Sequence, residues 1–309
     1  MKTVSVIIPA RNEAAFIGKC LASLSNLDYP SELYEIIVAD NGSSDHTVLI
    51  AAKYNAMVVE LPDKTTISAV RNGGAAAASG DILVFLDADC TVKPDWLAQA
   101  ERYFDRTDVA CFGSSPVIPD EATWVERTWY LARKSHELVF EKEWQESTNM
   151  FIPREIFEKA GGFDERLATC EDVDLSYRLR NFGKILSDSR IVAVHHRDPR
   201  TVKEFFLKER WRGKSNYEGV LQHGVKLMEL PSLVLPIYFT SMLAASIVFL
   251  FVSLRLACIF FIFAQLPVAG LSWLKIRREF SLTAFFRLMF LYNIYFLARA
   301  SSLFSFRFN

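Results

Sequence analysis

The chain has 309 residues, enough for one large domain or two small ones, and its formal net charge at pH 7 is −1. A charge this close to neutral excludes the strongly basic surface that nonspecific nucleic-acid binding needs, so no nucleic-acid partner is expected. Hydrophobic residues make up 51% of the chain and aromatic residues 13%, which favours a membrane-associated protein. The five cysteines have no paired spacing, which indicates reduced thiols in an intracellular protein.

Strands alternate with helices from Val4 to Leu86. The predicted strands are rich in β-branched residues, and the predicted helices have apolar residues at a spacing near 3.6. The strands are Val4–Ile8, Glu35–Ala39, Met57–Leu61 and Ile82–Leu86, and the helices are 16–24, His46–Tyr54 and Ala69–Ser79. This alternation predicts βαβ units with right-handed crossovers, and therefore an α/β fold with a doubly wound, mostly parallel sheet. The first apolar run is too short for a signal peptide, so the N-terminal domain is expected in the cytosol.

Two carboxylates follow the fourth predicted strand directly. Asp87 and Asp89 occupy alternate positions, which share a face if the chain stays extended. Open α/β sheets bind ligands at the carboxyl ends of their strands, and Mg²⁺ takes one or two carboxylates together with substrate phosphates. A turn with solvated acids explains the tripeptide alone equally well. The loop after the first strand matches no glycine-rich phosphate-binding motif, which argues against dinucleotide and P-loop sites.

The middle of the chain has a less regular pattern. Helices are expected to begin at Pro94, Ile156 and Glu171, and strands are expected at Val109–Ser114, Asn149–Arg154 and Ile191–Val194. The long segment Trp124–Trp144 is predicted to be helical. Its Trp124, Trp129, His136 and Trp144 could line an acceptor groove, although ordinary helix packing explains each of them more simply. Acids at a helix N-terminus, as at Glu171 and Asp172, are favoured by the helix dipole in any protein.

The composition changes near Thr201. Thr201–Tyr217 mixes aromatic and basic residues and predicts an amphipathic helix on a membrane surface. Leu233–Leu254 and Leu256–Leu274 are uncharged and long enough to span a bilayer. Basic residues on both flanks predict a helical hairpin with its tip near Arg255 on the outside. Phe285–Phe304 carries two arginines and is interpreted as an interfacial helix, with a third span as the alternative.

These patterns predict three regions, which are a catalytic domain at 1–200, an amphipathic interfacial linker at 201–232 and a C-terminal membrane region at 233–309. The C-terminal part from Lys275 onward carries mostly basic charges, which suits an anionic cytoplasmic leaflet. The expected localisation is therefore the cell inner membrane, with the catalytic domain in the cytoplasm.

The polar motifs of the chain form an ordered set. They are Pro9-Ala10-Arg11-Asn12-Glu13, Asp40-Asn41-Gly42-Ser43-Ser44-Asp45, Arg71-Asn72, Asp87-Ala88-Asp89, Gly161-Gly162-Phe163-Asp164, Glu171-Asp172-Val173-Asp174-Leu175 and His195. In this order they resemble the family 2 glycosyltransferases, which are inverting enzymes with the GT-A fold, over roughly residues 3–215. The resemblance implies that a nucleotide-diphosphate sugar lies across the ends of the parallel strands.

The resemblance also implies a set of donor-binding residues. They are Pro9, Arg11, Glu13, Asp40, Arg71 and Asp87. The first three would surround the base and ribose, and Asp87 would face the ribose. Asp40 would accept a hydrogen bond from the imide N–H that uracil and guanine have; a UDP-linked donor is expected, with guanine left open. Arg71 would contact the diphosphate or position the loop of Asp40.

A metal site and a catalytic pair complete what the resemblance implies. Asp89 would hold Mg²⁺ or Mn²⁺, and His195 would complete that site, because neutral imidazole is a competent ligand. For the histidine alone, a hydrogen-bonded loop residue is the simpler explanation. Asp172 would be the general base that inversion requires, and Glu171 would contact the acceptor or steady the loop.

One departure from the family pattern bears on the acceptor. Processive polysaccharide synthases of this family carry Gln-x-x-Arg-Trp before a membrane helix, and Leu207 stands here where the glutamine would be. We therefore expect transfer of a single sugar to a lipid-linked or membrane-proximal glycan acceptor, in cell-envelope or exopolysaccharide assembly. The alternatives are a processive synthase and a catalytically inactive membrane protein that binds nucleotide sugars. A sugar nucleotidyltransferase would need a glycine-rich loop where Pro9–Glu13 stands.

Overall fold

The computed structural model describes residues 2–62, 65–167, 169–223 and 230–303. The chain divides into two compact units. The first consists of Met1–Pro119 and Ser135–Arg197, and the second of Asp120–Lys134 and Asp198–Asn309. Part of the predicted linker, 224–229, lies outside the described residues.

The described residues contain these elements in chain order. The strands are β1 (Val4–Ala10), β2 (Tyr34–Asp40), β3 (Met57–Glu60), β4 (Ile82–Leu86), β5 (Cys90–Val92), β6 (Val109–Gly113), β7 (Val139–Glu141), β8 (Asn149–Pro153), β9 (Lys184–Asp188) and β10 (Ala193–His195). The helices are α1 (Ile17–Leu24), α2 (Thr47–Ala52), α3 (Ile67–Ala77), α4 (Trp96–Ala100), α5 (Trp124–Arg133), α6 (Arg154–Lys159), α7 (Glu171–Leu179), α8 (Val202–His223), α9 (Leu230–Phe249), α10 (Leu254–Ile276) and α11 (Leu282–Leu303).

The first unit is built on an eight-stranded sheet with the order β3-β2-β1-β4-β8-β6-β9-β7. The strands β3, β2, β1 and β4 run parallel, as the alternation in the sequence predicts. The strand β8 runs antiparallel to both β4 and β6, and β7 runs antiparallel to β9. The strand β10 pairs with β5 in a separate two-stranded sheet. The predicted α/β fold with a mostly parallel sheet is confirmed.

Apolar side chains cover both faces of the central strands. Successive residues of a strand point to opposite faces, and Val6 and Ile8 belong to one hydrophobic cluster whereas Ile7 belongs to the other. The strand β4 divides in the same way, with Val84 on the first face and Phe85 on the second. Burial on both faces explains why these strands are continuous apolar runs.

The helix α3 lies close to the sheet because it contains adjacent glycines. A β-carbon on Gly74 would lie 2.5 Å from Ile7 Cγ2 of β1 and 3.2 Å from Ala39 Cβ of β2. A β-carbon on Gly73 would lie 2.8 Å from Leu61. The helix begins at Ile67, two residues before the predicted start, because the Thr66 side chain accepts a hydrogen bond from the Ala69 amide and caps it.

The prediction of one helix over Trp124–Trp144 is wrong. The helix α5 ends at Arg133, and its segment belongs to the second unit, whereas Ser135 returns the chain to the first unit. Val139–Glu141 then forms β7, which pairs with β9. The short strands β5 and β9 had no prediction, and β7 lies in the segment that was predicted to be helical. Their three to five residues are too few to show a clear period of two in the sequence.

The second unit contains α5 and α8–α11. By length and composition, Pro231–Phe249 and Leu254–Glu279 are long and apolar enough to cross a membrane, and only 22% and 17% of their most apolar windows are buried. The predicted one-residue tip at Arg255 is wrong, since α9 ends at Phe249 and Arg255 lies in the first turn of α10. The helix α11 packs its Tyr292 and Phe296 in a cluster with α5, α9 and α10.

We expect Gly74→Ala to destabilise the protein by about 1–3 kcal/mol, because the added methyl overpacks the contact between α3 and Ile7. In an unobstructed helix the same change stabilises by up to about 1 kcal/mol. Gly18→Ala in α1 is the matched control, since a β-carbon there meets its nearest atom at an ordinary 3.5 Å. The thermal midpoints of the full-length variants in detergent measure both effects. Equal midpoints for the two variants would contradict the close approach of α3.

Candidate active site

The loops that follow β1 and β2 lie side by side because the two strands are in register. Ala10 pairs with Asp40 at the end of the parallel ladder, and the Asn41 amide donates to the Ala10 carbonyl at 2.9 Å. Side chains then join the loops, since the Asn12 amide donates to Ser43 Oγ and the Ser44 amide donates to Asn12 Oδ1, both at 2.9 Å. The first two sequence motifs therefore form one surface at the carboxyl edge of the sheet.

The Asp40 carboxylate is held at this edge. Its side chain is buried, and its two oxygens accept from the Ser43 hydroxyl at 2.5 Å and the Ser43 amide at 2.9 Å. Each carboxylate oxygen has a further lone pair, so the group can still accept from a ligand. Pro9 is buried within β1, whereas Arg11 is exposed in the loop beside it. These three predicted donor residues therefore lie on neighbouring strand ends.

Arg71 is a buried guanidinium between two carboxylates. Its Nη2 lies 3.0 Å from Asp87 Oδ1 and its Nη1 lies 2.7 Å from Glu171 Oε1. The Arg71 side chain is only 5% exposed, and its Cζ lies 5.6 Å from the centroid of the Phe163 ring. Both carboxylates that Arg71 binds lie away from the loop of Asp40, one after β4 and the other in α7. Arg71 instead connects the end of β4 to the start of α7.

Asp89 and His195 lie together beyond the end of β4. The antiparallel pairing of β5 with β10 sets His195 opposite Cys90. As a result, His195 Nε2 lies 3.5 Å from Asp89 Oδ2, and both side chains are mostly buried. The next residue, His196, directs its ring to Thr91 Oγ1 at 2.9 Å instead. A carboxylate oxygen and an imidazole nitrogen this close are a donor set that suits Mg²⁺ or Mn²⁺ completed by phosphate oxygens.

The protein would supply few ligands to such a metal site. Among the described residues, no group of three or more His, Cys, Asp or Glu side chains could hold a metal ion. Two protein ligands are nevertheless usual for Mg²⁺ bound with a phosphorylated substrate, because that ion keeps waters and takes substrate oxygens. The residues present therefore fit an ion that binds together with a diphosphate.

Glu13 has a partner that the sequence analysis did not identify. Its Oε1 accepts from Arg197 Nη1 at 2.7 Å, and the Arg197 guanidinium lies 5.7 Å from the centroid of the Phe16 ring. Burial raises the pKa of Glu13, and the charge of Arg197 opposes that rise. Arg197 comes directly after His195 and His196 in the sequence. Its place beside a candidate metal ligand was the signal that could have identified it as a residue of the site.

The helix α7 begins with the two acids that the sequence singles out. Asp172 Oδ1 accepts from the Val173 amide at 2.8 Å, while Glu171 is buried against Arg71. Burial raises the pKa of Asp172 to about 7, and the negative charge of Glu171 acts in the same direction. Arg71 lowers this pKa and Glu146 raises it, so Glu146 is a further acid near Asp172 that the sequence analysis missed. A carboxyl group with this pKa accepts protons effectively near neutral pH.

The four residues proposed for an acceptor groove do not belong to a single unit. Trp124 and Trp129 are part of the second unit, where the Trp129 ring contacts Phe205, Tyr292 and Tyr295. His136 and Trp144 belong to the first unit, and Lys142 Nζ lies 5.5 Å from the centroid of the Trp144 ring. Helix packing therefore accounts for Trp129.

Comparisons with known proteins agree with this architecture. The model of the family described as "Glycosyl transferase family 2" matches residues 5–163. Glycosyltransferase AglE of Haloferax volcanii is 30% identical over 240 residues, which cover 75% of this chain and 79% of AglE. The β-monoglucosyldiacylglycerol synthase of Trichormus variabilis is 30% identical over 198 residues, which cover 57% of this chain and 41% of that enzyme. The chain thus spans most of the Haloferax relative but less than half of the Trichormus one.

Solved structures share the fold. The mannosyltransferase PcManGT of Pyrobaculum calidifontis, solved with GDP-Man and Mn²⁺, superposes with a TM-score of 0.64 at 17% identity, covering 99% of this chain and 88% of that one. TarS 1–349 of S. aureus, solved with UDP-GlcNAc, has a TM-score of 0.53 at 18% identity, covering 99% and 93%. These superpositions show that the chain has the GT-A fold. The chain belongs to family 2 of the glycosyltransferases, and it is therefore a glycosyltransferase.

We expect Arg71→Met to lower the free energy of unfolding by about 3 kcal/mol, because it leaves Glu171 buried without its cation. Asp87 is 29% exposed and can recover some hydration, which keeps the loss at the lower end of the usual range. The control is Arg106→Met, whose ion pair with Asp108 is exposed and contributes about 1 kcal/mol or less. Denaturant unfolding in detergent compares the two. A loss for Arg71→Met no larger than the control would show that this bridge does not stabilise the fold.

Proposed function

We propose that this glycosyltransferase transfers a single sugar, with inversion, from a nucleotide-diphosphate sugar to a lipid-linked or membrane-proximal acceptor. The observation that supports this most directly is the pair of Arg71 ion pairs, which tie Asp87 at a strand end to the helix that carries Asp172. A donor acid and a candidate base are thereby held in fixed relation. Assembly of cell-envelope glycan or exopolysaccharide at the cytoplasmic side of the inner membrane is the setting that we propose.

The donor would lie across the ends of β1, β2 and β4. In this proposal Asp40 accepts from the imide N–H of a uracil or guanine base, while Pro9, Arg11 and Glu13 surround the base and ribose. Asp87 faces the ribose and keeps its second oxygen for the ligand, since only Oδ1 receives Arg71. The neighbours of known structure were solved with GDP-Man and with UDP-GlcNAc, which supports a nucleotide sugar and leaves the choice of base open.

Asp89 and His195 would hold a divalent ion against the diphosphate. Such an ion, when bound, supplies Lewis-acid stabilisation of the negative charge on the departing diphosphate. The 3.5 Å between Asp89 Oδ2 and His195 Nε2 and the Mn²⁺ present with PcManGT and its donor support this assignment. His196, with its ring on Thr91, is left out of the site.

Asp172 would accept the proton of the acceptor hydroxyl. As that proton moves to the carboxylate, the acceptor oxygen forms a bond to the anomeric carbon. The bond between that carbon and the diphosphate oxygen breaks on the opposite face, and the nucleoside diphosphate leaves with the electron pair. A pKa of about 7 supports this role, because it makes Asp172 a stronger base than an ordinary carboxylate and leaves about half of it ionised at neutral pH and most of it ionised above. Glu171 keeps Arg71 in place and steadies the start of α7.

Features of the second unit support an acceptor at a membrane. The corner between α10 and α11 carries Lys275, Arg277 and Arg278 beside the half-exposed aromatic rings of Trp273 and Phe280. The one acid in this corner, Glu279, pairs with Lys134 at 2.5 Å, so the corner keeps a positive charge. Aromatic and basic residues together suit the interface of an anionic leaflet. The Trichormus relative is named as the synthase of a glucosylated diacylglycerol, which agrees with a lipid-linked acceptor.

We expect detergent-solubilised full-length protein with Mn²⁺ to release UDP or GDP from one member of a panel of nucleotide sugars, and membrane lipid extract to increase the release. Asp172→Asn should lower that release at least about 100-fold, as loss of a general base does, and leave nucleotide binding intact. Asp105→Asn makes the same chemical change at a side chain that is 92% exposed, and this control should keep the activity of the wild type.

If the protein binds nucleotide but releases UDP or GDP from none of the donors, that result would contradict the enzymatic proposal. Release that lipid extract does not increase would contradict the proposed class of acceptor, and equal losses in the two variants would contradict the role of Asp172.

The pH dependence should follow the raised pKa of Asp172. A base works only when deprotonated, so kcat/KM, which reports the groups of the free enzyme, should rise with pH through about 7 and then level off. The charged groups that act on Asp172 are Glu171, Arg71 and Glu146. Glu171→Gln removes a negative neighbour and frees Arg71, and both effects move the midpoint to lower pH. A profile that is flat between pH 6 and 8, or a midpoint that Glu171→Gln leaves unchanged, would show that another group is the base.

A further inference from the structure

One face of α3 holds the turn that precedes α7. Asn72 Nδ2 donates to the Phe163 carbonyl and to Glu165 Oε1, and Asn72 Oδ1 accepts from the Phe163 amide, all at 2.9 Å. Two neighbours on α3 add hydrogen bonds to the same turn, since Thr66 Oγ1 donates to the Glu165 carbonyl at 3.0 Å and Ser68 Oγ donates to the Leu167 carbonyl at 3.3 Å. We call Thr66, Ser68, Arg71 and Asn72 the α3 clasp.

The clasp is fixed at one end by the sheet. Gly74, two positions after Asn72, sets α3 directly against Ile7 of β1. At the other end the turn is shaped to receive Asn72, because Gly162 has a φ of +67° and a β-carbon there would lie 2.9 Å from Asn72 Oδ1. The fit therefore requires glycine for both its conformation and its lack of a side chain.

The same turn also contacts α7. Arg178 of α7 donates from Nη1 to the Gly162 carbonyl at 2.7 Å, and its Nε and Nη2 bind Asp174 Oδ2. Phe163 packs against Phe85 of β4 with ring centroids 4.9 Å apart. A continuous set of contacts thus runs from the sheet through Asn72 and the turn to the helix that begins at Glu171 and Asp172.

We propose that Asn72 is a positioning residue for the acceptor step, which sets the place of Asp172 through the turn and α7. This rests on the proposed function of Asp172. Arg71 contacts the donor-side Asp87 as well as Glu171, whereas the side chain of Asn72 forms its hydrogen bonds with the turn. A substitution of Asn72 therefore acts on the acceptor side without removing a contact of Asp87, which a substitution of Arg71 cannot do.

The chemistry of the amide suggests the variant. Asn72→Asp has the same shape but loses both donors, and it sets a carboxylate against the Phe163 carbonyl and the Glu165 carboxylate. Adding Glu165→Gln to the Asn72→Asp variant restores one hydrogen bond between the two side chains, with donor and acceptor exchanged. The amide introduced at position 165 can donate to the carboxylate introduced at position 72. Asn26→Asp is the matched control. The Asn26 side-chain amide donates to the Ala22 carbonyl at the exposed end of α1, so the same chemical change there affects only a local hydrogen bond.

The experiment measures turnover, donor binding and local exchange on the full-length protein in detergent. With the donor that the panel identifies, we expect Asn72→Asp to lower kcat by about 10–100-fold, as misplacement of a reacting group does, while KM for the donor stays within about twofold. Hydrogen exchange should increase at 162–167 and in the first turn of α7. Asn26→Asp should match the wild type, and the Asn72→Asp, Glu165→Gln double variant should regain kcat and slow exchange.

Three outcomes would overturn the inference. They are an unchanged kcat, equal losses of kcat and UDP or GDP affinity, and unchanged exchange at 162–167 and α7. If the wild-type protein turns over no donor, the proposed function fails by itself, and the exchange measurement then decides whether Asn72 holds the turn and the start of α7 in place. Faster exchange confined to Asn72→Asp and reversed in the double variant would still support that role.

Discussion

The guanidinium of Arg71 is buried between two carboxylates from distant parts of the chain, and the geometry of the site depends on that contact. A buried cation is unfavourable unless its partners are close and well aligned. Asp87 at 3.0 Å and Glu171 at 2.7 Å meet this condition only when α3, β4 and α7 are all in place. The same cation restrains the pKa of Asp172, which burial and the charge of Glu171 raise. The donor-side acid and the candidate base are thus parts of one electrostatic group.

The grouping of polar residues at the strand ends could be predicted from the sequence because its determinants are local. Parallel strands end at the same edge of a sheet, so Asp40 and Asp87 had to lie near each other once their strands were recognised. The placement of α7 depends on contacts between residues far apart in the chain, such as Asn72 with Phe163. No periodicity or spacing in one sequence encodes such pairs, so the place of Glu146 near Asp172 and the contacts of Asn72 emerged only from the structure.

The antiparallel part of the sheet shows a second limit. The strand β8 was predicted, but its direction was not, since a short apolar run carries no information on which neighbours it joins. In Trp124–Trp144 the helical pattern of α5 continues in composition past Arg133, although the backbone turns extended at Lys134. Pairing of β7 with β9 then overrides the local pattern, as tertiary contacts commonly do for short segments.

The two arginines of α11 have a different role in the structure from the one that their composition suggested. Arg287 and Arg299 made this apolar segment look interfacial, because an unpaired charge is expensive in a membrane. In the second unit, however, Arg299 Nη2 lies 2.9 Å from the buried Glu209 of α8, and the Arg287 guanidinium lies 5.8 Å from the centroid of the Trp124 ring. Both arginines therefore hold helices of this unit together, whereas Lys275, Arg277 and Arg278 at the corner between α10 and α11 are exposed.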